Sequence, residues 1–150
     1  MSATMSETRP RLLIPGLQGF YAWAEPVSWL LVRLTVGLML LPHAWPKWTH
    51  GMEWVATNIM AKRVPTLPAE PVAMIVMVNE LVGGICIALG LFTRFFAITV
   101  AIEMAVITSV FWPQGGPPYE QVLMWCVFAV AIALRGGGPY SLDRVIGREL

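Results

Sequence analysis

Two long apolar segments in the middle of the chain, residues 71–92 and 93–112, constrain the fold most, because each carries one carboxylate near its centre. These are Glu80, in the sequence VMVNELVGG, and Glu103, in TVAIEMAVI. A charged side chain at the centre of a membrane-spanning helix costs about 2.5–3.5 kcal/mol on insertion scales. Since the cost recurs in both segments, we expect the two carboxylates to face each other, a partner cation or a polar cavity.

The composition places these segments in a membrane protein rather than in a soluble domain. Hydrophobic residues make up 57% of the 150 residues and charged residues only 13%, whereas a soluble domain carries about 25% charge. Such a chain has too little polar surface to cover itself, and we interpret it as a polytopic protein in contact with the lipid bilayer. The net charge of +1 gives no indication of nucleic-acid binding.

Four apolar segments are long enough to span a bilayer, which takes about 20 helical residues. The fold class predicted is therefore an all-α membrane protein, a bundle of four transmembrane helices with spans at residues 26–44, 71–92, 93–112 and 119–135. Almost no residues separate the second span from the third, so these helices should form a tight antiparallel hairpin. Between the first two spans, an amphipathic segment predicts a short helix on the outer membrane surface.

Three regions follow from this assignment. Residues 1–25 are expected to be a polar and interfacial segment, residues 26–135 the transmembrane domain, and residues 136–150 a cytoplasmic tail. Small residues at four-residue spacing, Gly84 and Ala88, predict a close approach of the second helix to a neighbour, and Gly37 is expected to do the same for the first.

The distribution of basic residues predicts the orientation. With four spans, both termini and the turn at Thr93 and Arg94 share one side of the membrane. Six basic residues lie on that side and three on the other, namely Arg9, Arg11, Arg94, Arg135, Arg144 and Arg148 against Lys47, Lys62 and Arg63. Because cytoplasmic loops are enriched in Lys and Arg, we expect a multi-pass protein of the inner (cytoplasmic) membrane with both termini in the cytoplasm.

The charged residues within the spans form the candidate site. At 1.5 Å per residue, Glu80 and Glu103 each lie about 13 Å into their spans, near the midplane of a ~30 Å hydrocarbon core. Arg33 lies about 10 Å from the inner surface and has the length to reach a carboxylate or to extend outward. Two carboxylates this close do not both ionise unless Arg33 neutralises them. We interpret the group as a proton-handling or quinol-binding site; the alternative is a buried Arg–Glu clamp that fixes helix register.

Other polar and sulfur-containing residues bear on that site. Asn79 is expected to form a hydrogen bond to a neighbouring helix. His43, at the outer end of the first span, is compatible with a hydrogen bond to a quinone, with a metal or haem ligand, or with an interfacial histidine bonded to water. No metal site is predicted. Cys86 and Cys126 differ in depth by more than the ~7 Å that a disulfide allows, and we expect both to be buried thiols.

Several short motifs resemble those of the DoxX family of small membrane proteins. The first helix carries Arg33-Leu34, Gly37, Pro42-His43 and Lys47, the second carries Glu80, Gly83-Gly84, Gly90-Leu91 and Thr93-Arg94, and the tail carries Gly138 and Ser141-Leu142-Asp143. Two positions depart from the family pattern, Ala44 where a glycine commonly follows the histidine, and Pro46 before Lys47. The resemblance implies a four-helix membrane bundle and, for some members, association with quinone oxidoreductases.

Two hypotheses of function follow. The first is a membrane subunit of an oxidoreductase system, with a quinone as cofactor, electrons supplied by a partner subunit and a site formed by Arg33, His43, Asn79, Glu80 and Glu103. The second is a non-catalytic subunit that assembles or anchors a larger membrane complex. A small-solute transporter is a third reading, and it would require self-association to enclose a path. Fold alone does not decide among them.

Overall fold

A computed structural model describes residues 12–113 and 116–148, and these ranges are helical with no β-strand. The helices are α1 at Gln18–His50, α2 at Met52–Val55 continuing through Ala56–Met60 and Ala61–Arg63, α3 at Ala69–Leu89, α4 at Thr93–Phe111, α5 at Gly116–Arg135 and α6 at Leu142–Ile146. Four of them, α1, α3, α4 and α5, are long and apolar enough to cross a membrane. This confirms the predicted all-α membrane architecture with a short helix between the first two spans.

Helix α1 is longer at both ends than the first predicted span. At its start, α1 includes residues 18–25 of the predicted interfacial segment. At its end, it continues through Pro42 and Pro46 to His50. A proline removes one backbone donor, whereas ending the helix in an apolar environment would leave several backbone groups without partners. Residues 1–11 of the predicted N-terminal segment lie outside the described ranges.

Helices α1 and α3 pack closely because small residues face each other. A Cβ atom added at Gly37 would lie 2.5 Å from both the backbone nitrogen of Ala88 and the carbonyl oxygen of Gly84. No side chain can be accommodated at that distance, so the contact needs glycine at position 37. The predicted packing role of Gly37, Gly84 and Ala88 is confirmed.

The core between the four long helices is made of apolar side chains, and the outer surface is apolar as well. The core includes Trp29, Leu40, Ile87, Val100, Ala129 and Ile132. Large hydrophobic side chains on the outside remain exposed in the isolated chain, among them Leu31, Ile75, Ile102, Val127 and Leu134. An apolar exterior around an apolar core is the pattern expected of helices that contact lipid.

The end of the bundle that contains Arg33, called here the Arg33 end, is closed by the C-terminal tail. Asp143 is 4% exposed, and its carboxylate accepts hydrogen bonds from the backbone nitrogens of Phe92 and Thr93 at 2.7 and 2.9 Å and from the Thr93 hydroxyl at 2.6 Å. Asp143 therefore satisfies donors at the start of α4, where a negative charge is also favoured by the helix dipole. The tail is a structural part of the bundle and more than the surface segment expected from sequence.

The turn before α4 takes the shape that this contact requires. Gly90 and Phe92 have positive φ angles of 73° and 46°, and the Gly90 carbonyl accepts a hydrogen bond of 2.8 Å from the backbone nitrogen of Asp143. Phe92 is the one non-glycine residue with positive φ in the described part of the chain. The tail contacts hold this strained turn in place.

Candidate functional site

A cavity of about 490 Å³ lies at the opposite end of the bundle, called here the Lys47 end. Its walls come from the last turns of α1, from α2, and from the facing halves of α3, α4 and α5. Most of the lining is apolar, and the polar side chains that line it are His43, Lys47, Arg63, Glu80, Thr99, Glu103 and Gln121. A largely apolar pocket with a few convergent polar groups is the usual form of a small-molecule site.

Lys47 and Glu80 form an ion pair across the cavity wall. The Nζ atom of Lys47 lies 2.7 and 2.5 Å from the two carboxylate oxygens of Glu80, and the side chains are 15% and 5% exposed respectively. The same ammonium donates to the carbonyl oxygen of His43, one turn earlier, at 3.1 Å. The pair joins α1 to α3 and supplies the cation that a carboxylate in an apolar segment requires.

Glu103 takes part in a second network, in which side chains of α3 and α4 bond to each other. The Nδ2 atom of Asn79 donates to Glu103 Oε2 at 2.6 Å, and the Thr99 hydroxyl donates to Asn79 Oδ1 at 2.6 Å. The hydrogen bond predicted for Asn79 across helices is therefore present. The other oxygen of Glu103, Oε1, is buried and has no hydrogen-bond partner among the described residues.

A π-helical turn at Asn79–Gly83 explains how two adjacent polar residues both point into the bundle. Successive residues of a regular α-helix point in directions about 100° apart, yet Asn79 and Glu80 are only 5% and 4% exposed. A π-helical turn contains an extra residue and re-aims the side chains around it, and such turns are frequent at functional sites. Glu80 can thereby reach α1 while Asn79 reaches α4.

The two carboxylates share the cavity but differ in charge compensation. Both line it, and Glu103 lies within electrostatic range of Glu80 and of Lys47. The one cation in direct contact with the pair bonds to Glu80 alone. Two neighbouring carboxylates with one ammonium favour a state in which one carboxylate is neutral.

His43 lies on the cavity wall beside these networks without joining them. Its side chain is exposed, and its ring stands edge-on to Trp125 of α5 with 6.2 Å between the ring centroids. The position leaves the imidazole accessible to a molecule in the cavity. Within the described residues, no group of three or more His, Cys, Asp and Glu side chains is arranged to hold a metal ion.

Two of the predicted site residues do not line the cavity: Asn79 is joined to it only through its hydrogen bond to Glu103, and Arg33 lies far from it. Lys47 lies 14 residues further along α1, which corresponds to roughly 21 Å. The guanidinium is 1% exposed and donates to the carbonyl oxygens of Gly137 and Tyr140 in the tail. The expected contact between Arg33 and the carboxylates is replaced by tail contacts at the Arg33 end, and Lys47 is the cation at the carboxylates.

Sequence reasoning also missed Lys47 and Thr99 as members of the networks. The predicted span of residues 26–44 leaves Lys47 in the loop that follows, because Pro42 suggests the end of the helix. The signal that could have located it is the spacing of His43 and Lys47, which places both on one face if the helix continues. Cys86 and Cys126 are free, as expected, but both are only partly buried, so the prediction of buried thiols is wrong in that respect.

Comparison with known proteins finds no match among curated proteins or among solved structures. The DoxX family model matches residues 28–113. This range includes α1 from Ser28 onward, α2, α3 and α4, and with them both networks of the cavity. Because the match extends over more than half of the chain, this membrane protein belongs to the DoxX family.

Proposed function

We propose that this protein is a membrane subunit of an oxidoreductase system and that the cavity at the Lys47 end binds the head group of a quinone. The observation that carries the proposal is the buried carboxyl group of Glu103, a residue that lines a largely apolar cavity and whose Oε1 atom has no hydrogen-bond partner among the described residues. A buried polar atom without a partner costs about 1–3 kcal/mol. A ligand that forms a hydrogen bond with it would remove that cost.

The size and chemistry of the cavity suit a flat, mostly apolar ring with polar oxygens. A volume of about 490 Å³ lies within the ~300–1,000 Å³ typical of small-molecule sites. Apolar residues from α2, α3 and α4 would contact the ring and its chain. A neutral Glu103 would donate a hydrogen bond to a quinone oxygen, or an ionised Glu103 would accept one from a quinol hydroxyl, and His43 would also bond to an oxygen of the ring.

In this proposal each polar residue has a distinct role. Glu103 or Glu80 would carry a proton to or from the bound quinone, and Lys47 would hold the charge of the remaining carboxylate. Asn79 would position Glu103, and Arg33 would act only by holding the tail at the other end of the bundle. Electrons would come from a partner subunit, since quinone reduction requires two electrons and two protons.

The orientation proposed from the basic residues places both termini in the cytoplasm of a cell with an inner membrane. The cavity would then open near the outer surface. Fusion of alkaline phosphatase or green fluorescent protein to the C-terminus tests this, because the first is active only outside the cytoplasm and the second fluoresces only inside. An active phosphatase fusion would reverse the assignment.

The test of quinone binding uses a matched pair of substitutions on α4. Ile102 lines the cavity, whereas Ile98, one turn earlier, does not, and both are at least half exposed, at 60% and 50%. We expect Ile102→Trp to lower binding of a short-chain ubiquinone analogue to the protein in nanodiscs, and Ile98→Trp to leave it unchanged. Binding is measured by extraction and chromatography of the retained quinone.

Glu103→Gln is expected to weaken binding about tenfold or more, because one polar contact to the ligand is changed and a tenfold loss corresponds to ~1.4 kcal/mol. Absence of saturable binding to the wild-type protein, or equal loss in Ile98→Trp and Ile102→Trp, would refute the proposal.

One observation favours the second candidate, a non-catalytic assembly or anchoring subunit. The ion pair joins α1 to α3 and the Asn79–Glu103 bond joins α3 to α4, so the same residues could serve only to fix the bundle. In that case Glu80→Gln would lower the yield of the assembled complex and leave turnover per complex unchanged. The quinone-binding role predicts the reverse, with normal yield and reduced turnover.

A further inference from the structure

A second cavity, of about 350 Å³, lies at the Arg33 end on the outside of the tail. It is lined by Arg135, Gly138, Asp143, Arg144, Gly147 and Arg148. Three arginines thus line one cavity, and within the described part of the chain the carboxylate among the lining residues belongs to Asp143. We propose that this cavity binds the phosphate group of an anionic phospholipid.

Among the described residues that line the cavity, three arginines outnumber one carboxylate, and that carboxylate is turned toward the start of α4. Both oxygens of Asp143 face the start of α4, where they accept hydrogen bonds from Phe92 and Thr93. Arg135 is close to Glu25 at 3.6 Å, but both side chains are nearly half exposed, at 47% and 49%, and such an exposed pair contributes little. Arg144 lies in the short helix α6, Arg148 directly follows Gly147, and both residues are exposed.

The position of the cavity along the bundle matches the depth of lipid head groups. Arg135 is the last residue of α5, which is long and apolar enough to cross a membrane. Basic residues directly beside a membrane span are attracted to anionic lipids, and basic pockets next to helices bind their head groups. The guanidinium group suits this role because two parallel N–H groups match two phosphate oxygens.

Apolar side chains around the cavity suit acyl chains rather than water. Leu134, next to Arg135, is 76% exposed, and Val145 and Ile146, between the two tail arginines, are 82% and 59% exposed. A segment in which exposed aliphatic residues lie between two arginines has the composition expected at the membrane interface. A free phosphate ion would account for the arginines but not for these neighbours, so the lipid is the occupant we infer.

The experiment measures lipid retained by the detergent-extracted protein in native mass spectrometry, after reconstitution in phosphatidylcholine that contains phosphatidylglycerol. We expect wild-type protein to retain phosphatidylglycerol in preference to phosphatidylcholine. In the double variant Arg144→Gln/Arg148→Gln the preference should fall roughly thirtyfold, since each basic residue at the surface contributes roughly fivefold. Both residues are exposed, so the fold should be retained, which a thermal unfolding curve checks.

Three controls make the result specific. Lys62→Gln removes an exposed positive charge at the Lys47 end and should leave the preference unchanged. Arg144→Lys/Arg148→Lys keeps the charge but not the paired N–H groups, and should lose part of the preference. Inorganic phosphate at millimolar concentration should not displace the lipid. Equal retention of both lipids, an equal effect of Lys62→Gln, or complete displacement by inorganic phosphate would each overturn the proposal.

Discussion

The ion pair between Lys47 and Glu80 gives the sharpest test of how the Lys47 end is held together. Replacing Lys47 alone with Met leaves the Glu80 carboxylate, 5% exposed, without its cation. Removal of one partner of a buried pair costs about 3–5 kcal/mol. For a chain of 150 residues, this corresponds to a fall in Tm of roughly 6–20 °C, at roughly 2–4 °C per kcal/mol.

The reciprocal change, Glu80→Met, should cost less. Lys47 is more exposed than its partner, at 15%, and its long side chain can extend toward the membrane surface. The change also removes the repulsion between Glu80 and Glu103. In the double variant Lys47→Met/Glu80→Met, no unpaired charge remains and the volumes are similar, so its stability should return to within about 1 kcal/mol of the wild type.

The assay is a double-mutant cycle based on thermal unfolding in detergent. Fluorescence-detected size-exclusion chromatography measures the folded protein that remains at each temperature. The expected coupling energy is at least about 2 kcal/mol, within the range for residues in direct contact. If the double variant is as unstable as the sum of the two single variants, the pair does not hold these helices. A stable double variant that has lost quinone binding would separate the functional role of the pair from its structural one.

Three further changes test the packing of the bundle, each by the shift in Tm. Gly37→Ala should destabilise the protein by about 1–3 kcal/mol because the added methyl meets the backbone of α3. The control Gly19→Ala should leave the stability unchanged, since no atom lies within 4 Å of the added methyl. Equal effects of the two substitutions would contradict the close contact at Gly37. Asp143→Ala should lower the stability by about 3–5 kcal/mol. Each hydrogen bond to a charged group contributes about 1.5–3 kcal/mol, and three are lost together, so their contributions are not additive. The control Glu53→Ala removes an exposed acid and should change the stability by no more than about 0.5 kcal/mol. Arg33→Lys should destabilise by about 1–3 kcal/mol, because one ammonium cannot reproduce a fork that donates to two tail carbonyls; an unchanged Tm would show that charge alone is sufficient.

The sequence allowed the fold to be predicted because the bilayer restricts the choice of structures. Spanning segments must satisfy their backbone polar groups internally, so long apolar segments predict helices directly. Close contacts could also be predicted, because Gly37, Gly84 and Ala88 are small residues at helical spacing. The same reasoning placed Glu80 and Glu103 at matching depths, and both line one cavity.

The partners of the charged residues could not be predicted, because residue spacing gives depth along a helix but not the direction in which a side chain points. Arg33 lies at a depth where tail carbonyls compete with the carboxylates for its donors, and no local signal indicated that the tail folds back. The sequence predicts a loop at Lys47 because a proline, here Pro42, normally ends a helix. The π-helical turn at Asn79–Gly83 has no sequence signature of its own, and it determines which helix Glu80 faces.

The two ends of the bundle satisfy their buried polar groups in different ways, and this difference favours the Lys47 end as the site. At the Arg33 end, Arg33 and Asp143 bond mainly to backbone groups of the tail and of the α3–α4 turn. Such contacts fix the chain at this end. At the Lys47 end, side chains bond to side chains beside a cavity, and Glu103 retains a buried oxygen without a partner. Each end keeps one buried polar atom without a partner among the described residues, Arg33 Nε at one end and Glu103 Oε1 at the other. What distinguishes the Lys47 end is that Glu80 and Glu103 line a largely apolar cavity of about 490 Å³, the usual form of a small-molecule site.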